Sequence, residues 1–246
     1  MMQPLPTRKA EAWRYADLAA LAEVWPAGVV SETRVVPAGD SQRLVLASAA
    51  TPVAVRDLRI ELEAGARLDL RLLLAGHRYG RIAIDATLAE GAHLELGGVM
   101  LGGDASTQEI VCVAHHAKPG ATSNQIIRAV LAGKATGSYL GKIVVERGAD
   151  KTDAVQSAKA MLLDRTATAN LKPELEIYAD DVKCAHGCAI GELDPMGLFY
   201  LQARGIAPGD AKKLMLQAFV AGVFEGAADE EALAARALEK LGELLC

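Results

Sequence analysis

The chain has 246 residues, a formal net charge of −5 and acidic and basic side chains mixed along its length. This length is sufficient for a substantial buried core. The charge balance argues against a nucleic-acid-binding protein, which would carry a basic patch or stripe. No apolar run reaches the roughly 20 residues of a transmembrane helix, and residues 1–13 lack the apolar segment of a signal peptide. The four cysteines, Cys112, Cys184, Cys188 and Cys246, do not form a disulfide framework, so we predict a reducing, cytoplasmic location.

The first 28 residues are predicted to form a short N-terminal helical arm. Residues 7–21 resemble an amphipathic helical segment, and this segment carries Trp13 and Tyr15. The first alternating segment begins near Val29, so we place the start of the core at that residue.

A Gly-Ala doublet recurs through the middle of the chain, between segments in which apolar and polar residues alternate. The doublets are Gly65-Ala66, Gly91-Ala92, Gly120-Ala121 and Gly148-Ala149, at intervals of 26, 29 and 28 residues. A second set of breaks falls about midway between them, at Gly76, Gly97-Gly98, Gly133 and Asp164. Alternation on both sides of a turn is typical of half-buried strands, and a regular period of this length indicates a solenoid.

We therefore predict an all-β core over residues 29–193, folded as a parallel β-helix of five or six coils. Helices of ten or more residues do not fit between the breaks, which argues against leucine-rich and ankyrin-type arrays. No six-residue period is present, which argues against the left-handed β-helix of acyltransferases. An ordinary β-sandwich is the alternative, because it also contains many short strands.

Three candidate metal ligands, Cys184, His186 and Cys188, lie at alternate positions near the end of this core. Alternate residues of a strand point to one face, and thiolates and imidazoles suit zinc, copper and iron–sulfur chemistry. The Cα atoms of Cys184 and Cys188 would lie about 13 Å apart, too far for a disulfide, whereas those of Cys184 and His186 would lie about 6.6 Å apart. A tetrahedral site takes about four ligands. The spacing therefore predicts a half-site that needs ligands from elsewhere, for example from another chain.

The composition changes to helical after residue 193. Asp194 followed by Pro195 is a helix start, and helices are predicted over residues 196–204, 211–225 and 230–245, the last with Asp229 as its N-cap. Solenoids need a cap over their last coil, so these helices are expected to form that cap. An exposed apolar stripe on them would instead indicate a docking surface.

Two further features bear on function. The adjacent His115 and His116 lie on a predicted strand, so their rings should face opposite ways, and we expect a partly exposed pair that does not share a metal. The sequence contains neither a P-loop nor a G-x-S-x-G nucleophile elbow. Two other classes of protein stay open: a polysaccharide-active β-helix enzyme, which would need carboxylates on successive coils, and a stand-alone metal-binding β-helix protein.

The C-terminal part of the core closely resembles the signature of the SufB/SufD family of iron–sulfur cluster assembly proteins. The resemblance rests on residues 180–187 (DDVKCAHG), 190–194 (IGELD) and 198–206 (LFYLQARGI), with support from 151–154 (KTDA), Gln156 and 173–177 (PELEI). Residues 6–9 (PTRK) and 11–15 (EAWRY) resemble the N-terminal arm of the SufD branch more than that of SufB. The chain is shorter than typical members, and we expect it to lack most of their N-terminal helical domain.

This resemblance implies a right-handed β-helix and a non-catalytic scaffold subunit. It implies pairing with SufB through the β-helix, with homodimerisation as a possibility for the isolated chain. It also implies docking of the SufC ATPase on the C-terminal helices, for which the candidate residues are Phe199, Tyr200, Arg204, Leu214 and Phe219. Cys184 and His186 would take part in iron acquisition and cluster formation, with Cys188 as a possible additional ligand. We expect no tightly bound cofactor, only transient iron or a nascent cluster.

Overall fold

The computed structural model describes residues 4–47, 51–227 and 229–245, and Cys246 lies outside this part of the chain. A 3-10 turn (Glu11–Trp13) and helix α1 (Leu18–Ala22) form the N-terminal arm. The strands are β1 (Val29–Val36), β2 (Ser41–Ala47), β3 (Val53–Leu62), β4 (Arg67–Ala75), β5 (Tyr79–Leu88), β6 (His93–Gly102), β7 (Thr107–His116), β8 (Thr122–Leu131), β9 (Thr136–Val145), β10 (Asp153–Leu162), β11 (Thr168–Ile177) and β12 (Lys183–Gly191). Helices α2 (Pro195–Ala203), α3 (Pro208–Ala221) and α4 (Glu230–Glu243) follow.

The strands form two parallel sheets of six, and successive strands alternate between them. The odd sheet has the order β1-β3-β5-β7-β9-β11, and the even sheet has the order β12-β10-β8-β6-β4-β2. Each pair of successive strands is therefore one coil, and the chain makes about six coils. The parallel pairing confirms the predicted β-helix, because a β-sandwich would be built from antiparallel strands.

The Gly-Ala doublets are the turns that join the odd sheet to the even sheet. The four glycines have φ between 63° and 74°, a left-handed conformation that glycine adopts without steric cost. The alanine that follows each glycine is completely buried. The repeat therefore combines a backbone requirement with a packing requirement, and both recur in four successive coils.

The predicted break at Gly97-Gly98 is wrong, because both glycines lie inside β6. The turn of that coil comes later, at Asp104, which has a φ of 51°. A Cβ atom on Gly98 would come within 2.8 Å of the side chains of Ile110 and Ile127, and one on Gly97 would meet the carbonyl oxygen of Val223 at 2.5 Å. These glycines mark close packing on the two faces of a strand, a second reason for glycine in β-structure.

Helices α3 and α4 pack against the side of the β-helix, and α2 contacts α3. Apolar residues on the outer face of the even sheet, among them Leu73, Val99 and Val130, form one buried cluster with Leu216 and Phe224 of the helical region. The expected cap over the last coil is therefore wrong, since α3 and α4 contact β4, β6 and β8 instead. Among the helices that the structure describes, none is long and apolar enough to cross a membrane.

The helix boundaries follow local capping chemistry in part. The Asp194 carboxylate accepts hydrogen bonds from the backbone N–H groups of Met196 and Gly197 at 3.0 and 3.1 Å, which confirms the predicted start of α2. Asp229 precedes α4 as predicted, but its side chain makes no capping hydrogen bond.

The N-terminal arm packs against the outer face of the odd sheet. Ala16, Ala20 and Leu21 of the arm are buried against Val55 and Tyr79 of the sheet. The guanidinium group of Arg81 lies 3.9 Å from the centre of the Trp13 ring and donates a hydrogen bond to the carbonyl oxygen of Ala12. The arm is thus fixed to the sheet by apolar packing and by a cation–π contact.

The adjacent histidines of β7 face opposite ways, as predicted, but they are not both partly exposed. His116 is completely buried, where its Nε2 atom lies 3.0 Å from the Ser123 hydroxyl oxygen. His115 is partly exposed, and its Nε2 atom lies 3.6 Å from an Asp85 carboxylate oxygen. Burial lowers the pKa of His116 to about 4 from 6.5, because the charged imidazolium is poorly solvated inside the β-helix.

We expect His116 to make the fold sensitive to acid. Because the native pKa lies below the unfolded value, the unfolded state binds more protons between pH 6.5 and about 4, and stability falls as the pH is lowered through that interval. The loss from this one group would reach up to about 3 kcal/mol. Urea unfolding at pH 7.5 and pH 4.5 should show a smaller pH-dependent change in unfolding free energy for His116→Gln than for wild type. His115→Gln is the matched control, and equal slopes in all three proteins would contradict the assignment.

Candidate functional site

The three candidate ligands lie on β12, the edge strand of the even sheet. Along the parallel register, Cys184 pairs with Ala154, His186 with Gln156 and Cys188 with Ala158. These three β10 residues are all buried, whereas Asp153, Val155 and Lys159, at the alternate positions of the strand, are exposed and Ser157 is half-buried. Since register partners in a parallel sheet share a face, the candidate ligands face the interior of the β-helix.

The candidate ligands differ in exposure because no further coil covers β12. Cys184 is half-buried, and His186 and Cys188 are exposed although they occupy inward-facing positions. In every earlier coil the same positions are covered by the next coil. The interior of the β-helix is therefore open at this end, and its last inward side chains are accessible to an external molecule.

Cys184 is held in an apolar environment. It packs with Ile143, Val145 and Leu175, at the bottom of the open end. Burial raises the pKa of the Cys184 thiol, and the nearby carboxylate of Asp153 adds to this effect, while the backbone N–H of Ala154 opposes it. A free thiol here is mostly protonated at neutral pH, so binding a metal would release a proton.

The described residues supply only part of a metal site. Within residues 4–47, 51–227 and 229–245, no group of three or more histidine, cysteine, aspartate or glutamate side chains is close enough to hold one ion. The neighbouring Asp181 is engaged by Lys151, with which it forms an ion pair. The described residues therefore do not complete a metal site around Cys184 and His186.

Both final strands have a free edge at this end of the β-helix. Among the strands that the structure describes, β11 pairs only with β9 and β12 only with β10. Apolar side chains around these edges are also exposed, including Ile177, Tyr178 and Ile190. An uncovered edge with exposed apolar side chains is a template for pairing with another strand.

The candidate docking residues on the helices fall into two groups. Phe199, Tyr200 and Leu214 are 65%, 57% and 46% exposed, respectively, and the exposed Arg204 has its guanidinium group 4.9 Å from the centre of the Tyr200 ring. These four residues and Met196, which is 70% exposed, are exposed side chains on or next to α2 and α3 and are named here the helical patch. Phe219 does not belong to it, because it is half-buried and packs against the even sheet.

Two arginines that sequence reasoning missed join the helices to the even sheet. Arg71 forms an ion pair with Asp69, with Nε 2.7 Å from Oδ1, and donates hydrogen bonds to the carbonyl oxygens of Val223 and Glu225, just after α3, at 3.0 and 3.1 Å. The sequence does contain a signal for Arg71, because it is a charged residue within the leucine-rich segment that forms β4.

Arg128 makes the second connection between helix and sheet. Its guanidinium carbon lies 5.7 Å from the centre of the Phe219 ring, and it donates hydrogen bonds to the carbonyl oxygens of Ile127 and Ser157 at 2.9 and 3.2 Å. Ser157 is in register with Gly187, between His186 and Cys188. Arg128 therefore links α3 to the strand that lies directly below the candidate ligands.

Comparison with known proteins identifies a family. A family model described as "SUF system FeS cluster assembly, SufBD core domain" matches residues 44–219. This range begins in β2 and ends in α3, so it includes most of the β-helix, the candidate ligands and the helical patch.

Several curated proteins are similar to parts of this chain. Iron-sulfur cluster assembly protein SufD of Escherichia coli is 37% identical over 130 residues, which are 53% of this chain and 30% of that protein. Protein ABCI7, chloroplastic, of Arabidopsis thaliana is 41% identical over 110 residues, 44% of this chain and 23% of that protein. An iron-sulfur cluster assembly SufBD family protein of Synechocystis is 36% identical over 107 residues, 44% of this chain and 24% of that protein. The matched part is less than a third of each of these relatives.

The environments of the cysteines predict their order of reactivity. Alkylation by iodoacetamide at pH 7.5 should be fastest at the exposed Cys188, at least about tenfold slower at Cys184 and slowest at Cys112. Burial raises the pKa of Cys112 to about 12, and Cys184 is slowed by its half-buried position and raised pKa. Tandem mass spectrometry of the alkylated peptide can separate Cys184 from Cys188. Faster labelling of Cys184 than of Cys188 would contradict the arrangement of the open end.

Proposed function

The chain belongs to the SufBD family of the SUF iron–sulfur cluster assembly system, and we propose that it is a non-catalytic scaffold subunit of an assembly complex. The observation that carries this proposal is the half-site of Cys184 and His186 at the open end of the β-helix. Iron, or a nascent cluster, would be the cargo of this site. A reducing compartment such as the cytoplasm would keep its thiols available.

We propose that the half-site is completed by a SufB-type partner. The free edges of β11 and β12 offer unpaired backbone groups to a partner strand, and Ile177, Tyr178 and Ile190 offer apolar contact area. A partner that pairs with these edges would bring its own side chains over Cys184 and His186. A second copy of this chain could use the same edges, so the isolated chain is expected to be able to form a homodimer.

The chemistry of the two ligands suits transient binding of iron. A thiolate and an imidazole are both ligands for iron and iron–sulfur centres, and two ligands on one chain leave the other positions to a partner. The raised pKa of Cys184 makes metal binding by this chain alone less favourable at neutral pH. Cys188 is a possible additional ligand, because it is exposed on the same face of β12.

The helical patch is the proposed docking site for a SufC-type ATPase. Phe199, Tyr200 and Leu214 are large apolar side chains at the surface, and aromatic residues with a neighbouring arginine are typical of binding hot spots. Phe219 is proposed to act differently, by passing movement of α3 to Arg128. Through the hydrogen bond from Arg128 to Ser157, such movement would reach the strand below the half-site.

The two other classes of function have less support. Asp69 and Glu95 are carboxylates on neighbouring strands, as a polysaccharide-active enzyme would need, but both lie within 4 Å of the Arg71 guanidinium group and stabilise the attachment of α3. A stand-alone metal-binding protein would need a complete site. The half-site on the described residues favours a protein that works with a partner.

Replacing both ligands tests the proposed site. In cells that depend on this protein for cluster assembly, Cys184→Ala/His186→Ala should lower the iron content of the purified complex and the activity of iron–sulfur enzymes about tenfold or more, because the partner's ligands alone would hold the cargo weakly. Cys188→Ala is the control on the same strand and should have a much smaller effect. Normal cluster production and iron content in the double variant would refute the site.

A charge in the helical patch tests the docking surface. Leu214→Asp should reduce co-purification of the ATPase by at least about tenfold, because it buries a carboxylate in an apolar contact. Ala235→Asp, which adds the same charge at an exposed position of α4, is the matched control and should retain the ATPase. Circular dichroism would establish that both variants are folded. Full retention by Leu214→Asp would rule out the helical patch as the docking site.

A further inference from the structure

One inward-facing column of the even sheet changes from apolar to polar as it approaches the half-site. The parallel register aligns one residue from each of five successive strands. In order, these residues are Leu70, Leu96, Gln125, Gln156 and His186. The two glutamines thus lie in the interior of the β-helix, directly below the histidine of the half-site.

The amide groups of this column are incompletely paired. Gln156 is 1% exposed, and neither its amide oxygen nor its amide nitrogen has a hydrogen-bond partner. Gln125 is completely buried, and its Oε1 atom accepts a hydrogen bond from the Tyr139 hydroxyl at 2.9 Å while its Nε2 atom has no partner. A buried amide without a partner is destabilising, so these unpaired atoms require an explanation.

The surroundings of Gln156 leave its two neighbours in the column, Gln125 and His186, as candidate partners. Its inward neighbours on β10 are Ala154 and Ala158, which offer no polar side-chain atoms. The next residue along the column is His186, and its position at the open end leaves the imidazole free to turn. An inward turn of the ring would bring it over the amide of Gln156, one strand spacing away, about 4.8 Å.

We propose that Gln156 is a positioning residue for His186. In this arrangement the imidazole turns inward and donates one ring N–H to Oε1 of Gln156. The amide N–H of Gln156 in turn donates to Oε1 of Gln125, which already accepts from Tyr139 and has a second lone pair. The result is a continuous hydrogen-bonded column from Tyr139 to His186.

This arrangement prepares the histidine to bind a metal. A neutral imidazole carries one N–H group and one lone pair, and the hydrogen bond made by one nitrogen fixes which nitrogen has the lone pair. Metal-binding histidines normally donate their other N–H to a carbonyl or carboxylate in this way. The column would thus direct the lone pair of His186 outward, toward a divalent ion that accepts imidazole and thiolate ligands, such as ferrous iron. The assignment of the ligand rests on the proposed function, whereas the hydrogen bond does not.

The opposite polarity is also chemically possible and gives a different outcome. If Gln125 donated its amide N–H to Oε1 of Gln156, the Gln156 amide would donate to the ring, and the N–H of His186 would face outward. An imidazole in that state could not bind a metal through its outward nitrogen. The tautomer of His186 therefore decides between the two arrangements.

Nitrogen NMR of the isolated chain with labelled histidine tests the hydrogen bond without any partner or metal. The signals of His186 are assigned with His186→Gln. We expect one ring tautomer in wild type and a mixture in Gln156→Leu, because leucine has a similar size but no acceptor. Gln156→Glu retains an acceptor and should restore a single tautomer. Gln108→Leu, a change at a buried glutamine of the odd sheet, should leave the His186 signals unchanged.

Titration of the isolated chain with Co²⁺, followed by thiolate-to-cobalt absorption, tests the ligand assignment. We expect Gln156→Leu to weaken Co²⁺ binding about 10- to 100-fold and Gln156→Glu to restore it. Identical tautomer signals in wild type and Gln156→Leu would overturn the positioning role. A tautomer change with unaltered Co²⁺ affinity would overturn the ligand assignment, whatever partner the chain has. If both results were as expected but the wild-type chain bound no partner, the proposed scaffold function would be wrong and the positioning role of Gln156 would stand.

Discussion

The stacking of parallel coils is the constraint on which the rest of this structure depends. Each strand hydrogen-bonds only to the strands above and below it in the same sheet, so an interior coil is satisfied on both sides and a terminal coil on one. The left-handed glycine and the buried alanine of the four Gly-Ala turns allow the coils to follow one another closely. Where the stack stops, at β11 and β12, backbone groups and inward side chains are left accessible. The candidate site lies at this interruption.

The attachment of the helices preserves the open end. If the C-terminal helices covered the last coil, as solenoid caps commonly do, Cys184 and His186 would be inaccessible. Instead the apolar outer face of the even sheet binds them at the side, and Gly97 allows the end of α3 to approach the sheet closely. Arg71 satisfies carbonyl groups at the end of that helix. The position of the helices thus keeps the exposed residues of the helical patch separate from the open end.

The sequence predicted the β-helix well because the turn chemistry recurs with each coil, and a repeated glycine and a repeated small residue are visible without a structure. It failed at Gly97-Gly98, where glycine serves close packing inside a strand and not a turn. It also misplaced the helices, because helical periodicity shows that a face is apolar but not which surface will cover it. The packing of Phe219 against the even sheet was not predicted for the same reason.

The candidate site likewise contains residues that are close in sequence and residues that only the fold brings together. Cys184 and His186 are close in sequence and could be identified from their spacing. Gln156 is 30 positions before His186, and only the register between β10 and β12 brings the two together. Arg128 likewise contacts two residues that are distant in sequence, Ser157 and Phe219. A residue that acts through strand register or through helix packing has no signal in the spacing of a motif.

The change from apolar to polar side chains along the inward-facing column supports a functional role for the last coils of the β-helix. Leucine at the positions of Gln125, Gln156 and His186 would continue the column of Leu70 and Leu96 and would bury more apolar surface, which favours folding. The chain instead places two amides and an imidazole there, and some of their atoms are unpaired. Departures from good packing are concentrated at functional sites in proteins, because stability elsewhere compensates for them. The first three coils provide that stability, and the last three use it to present a polar, accessible end.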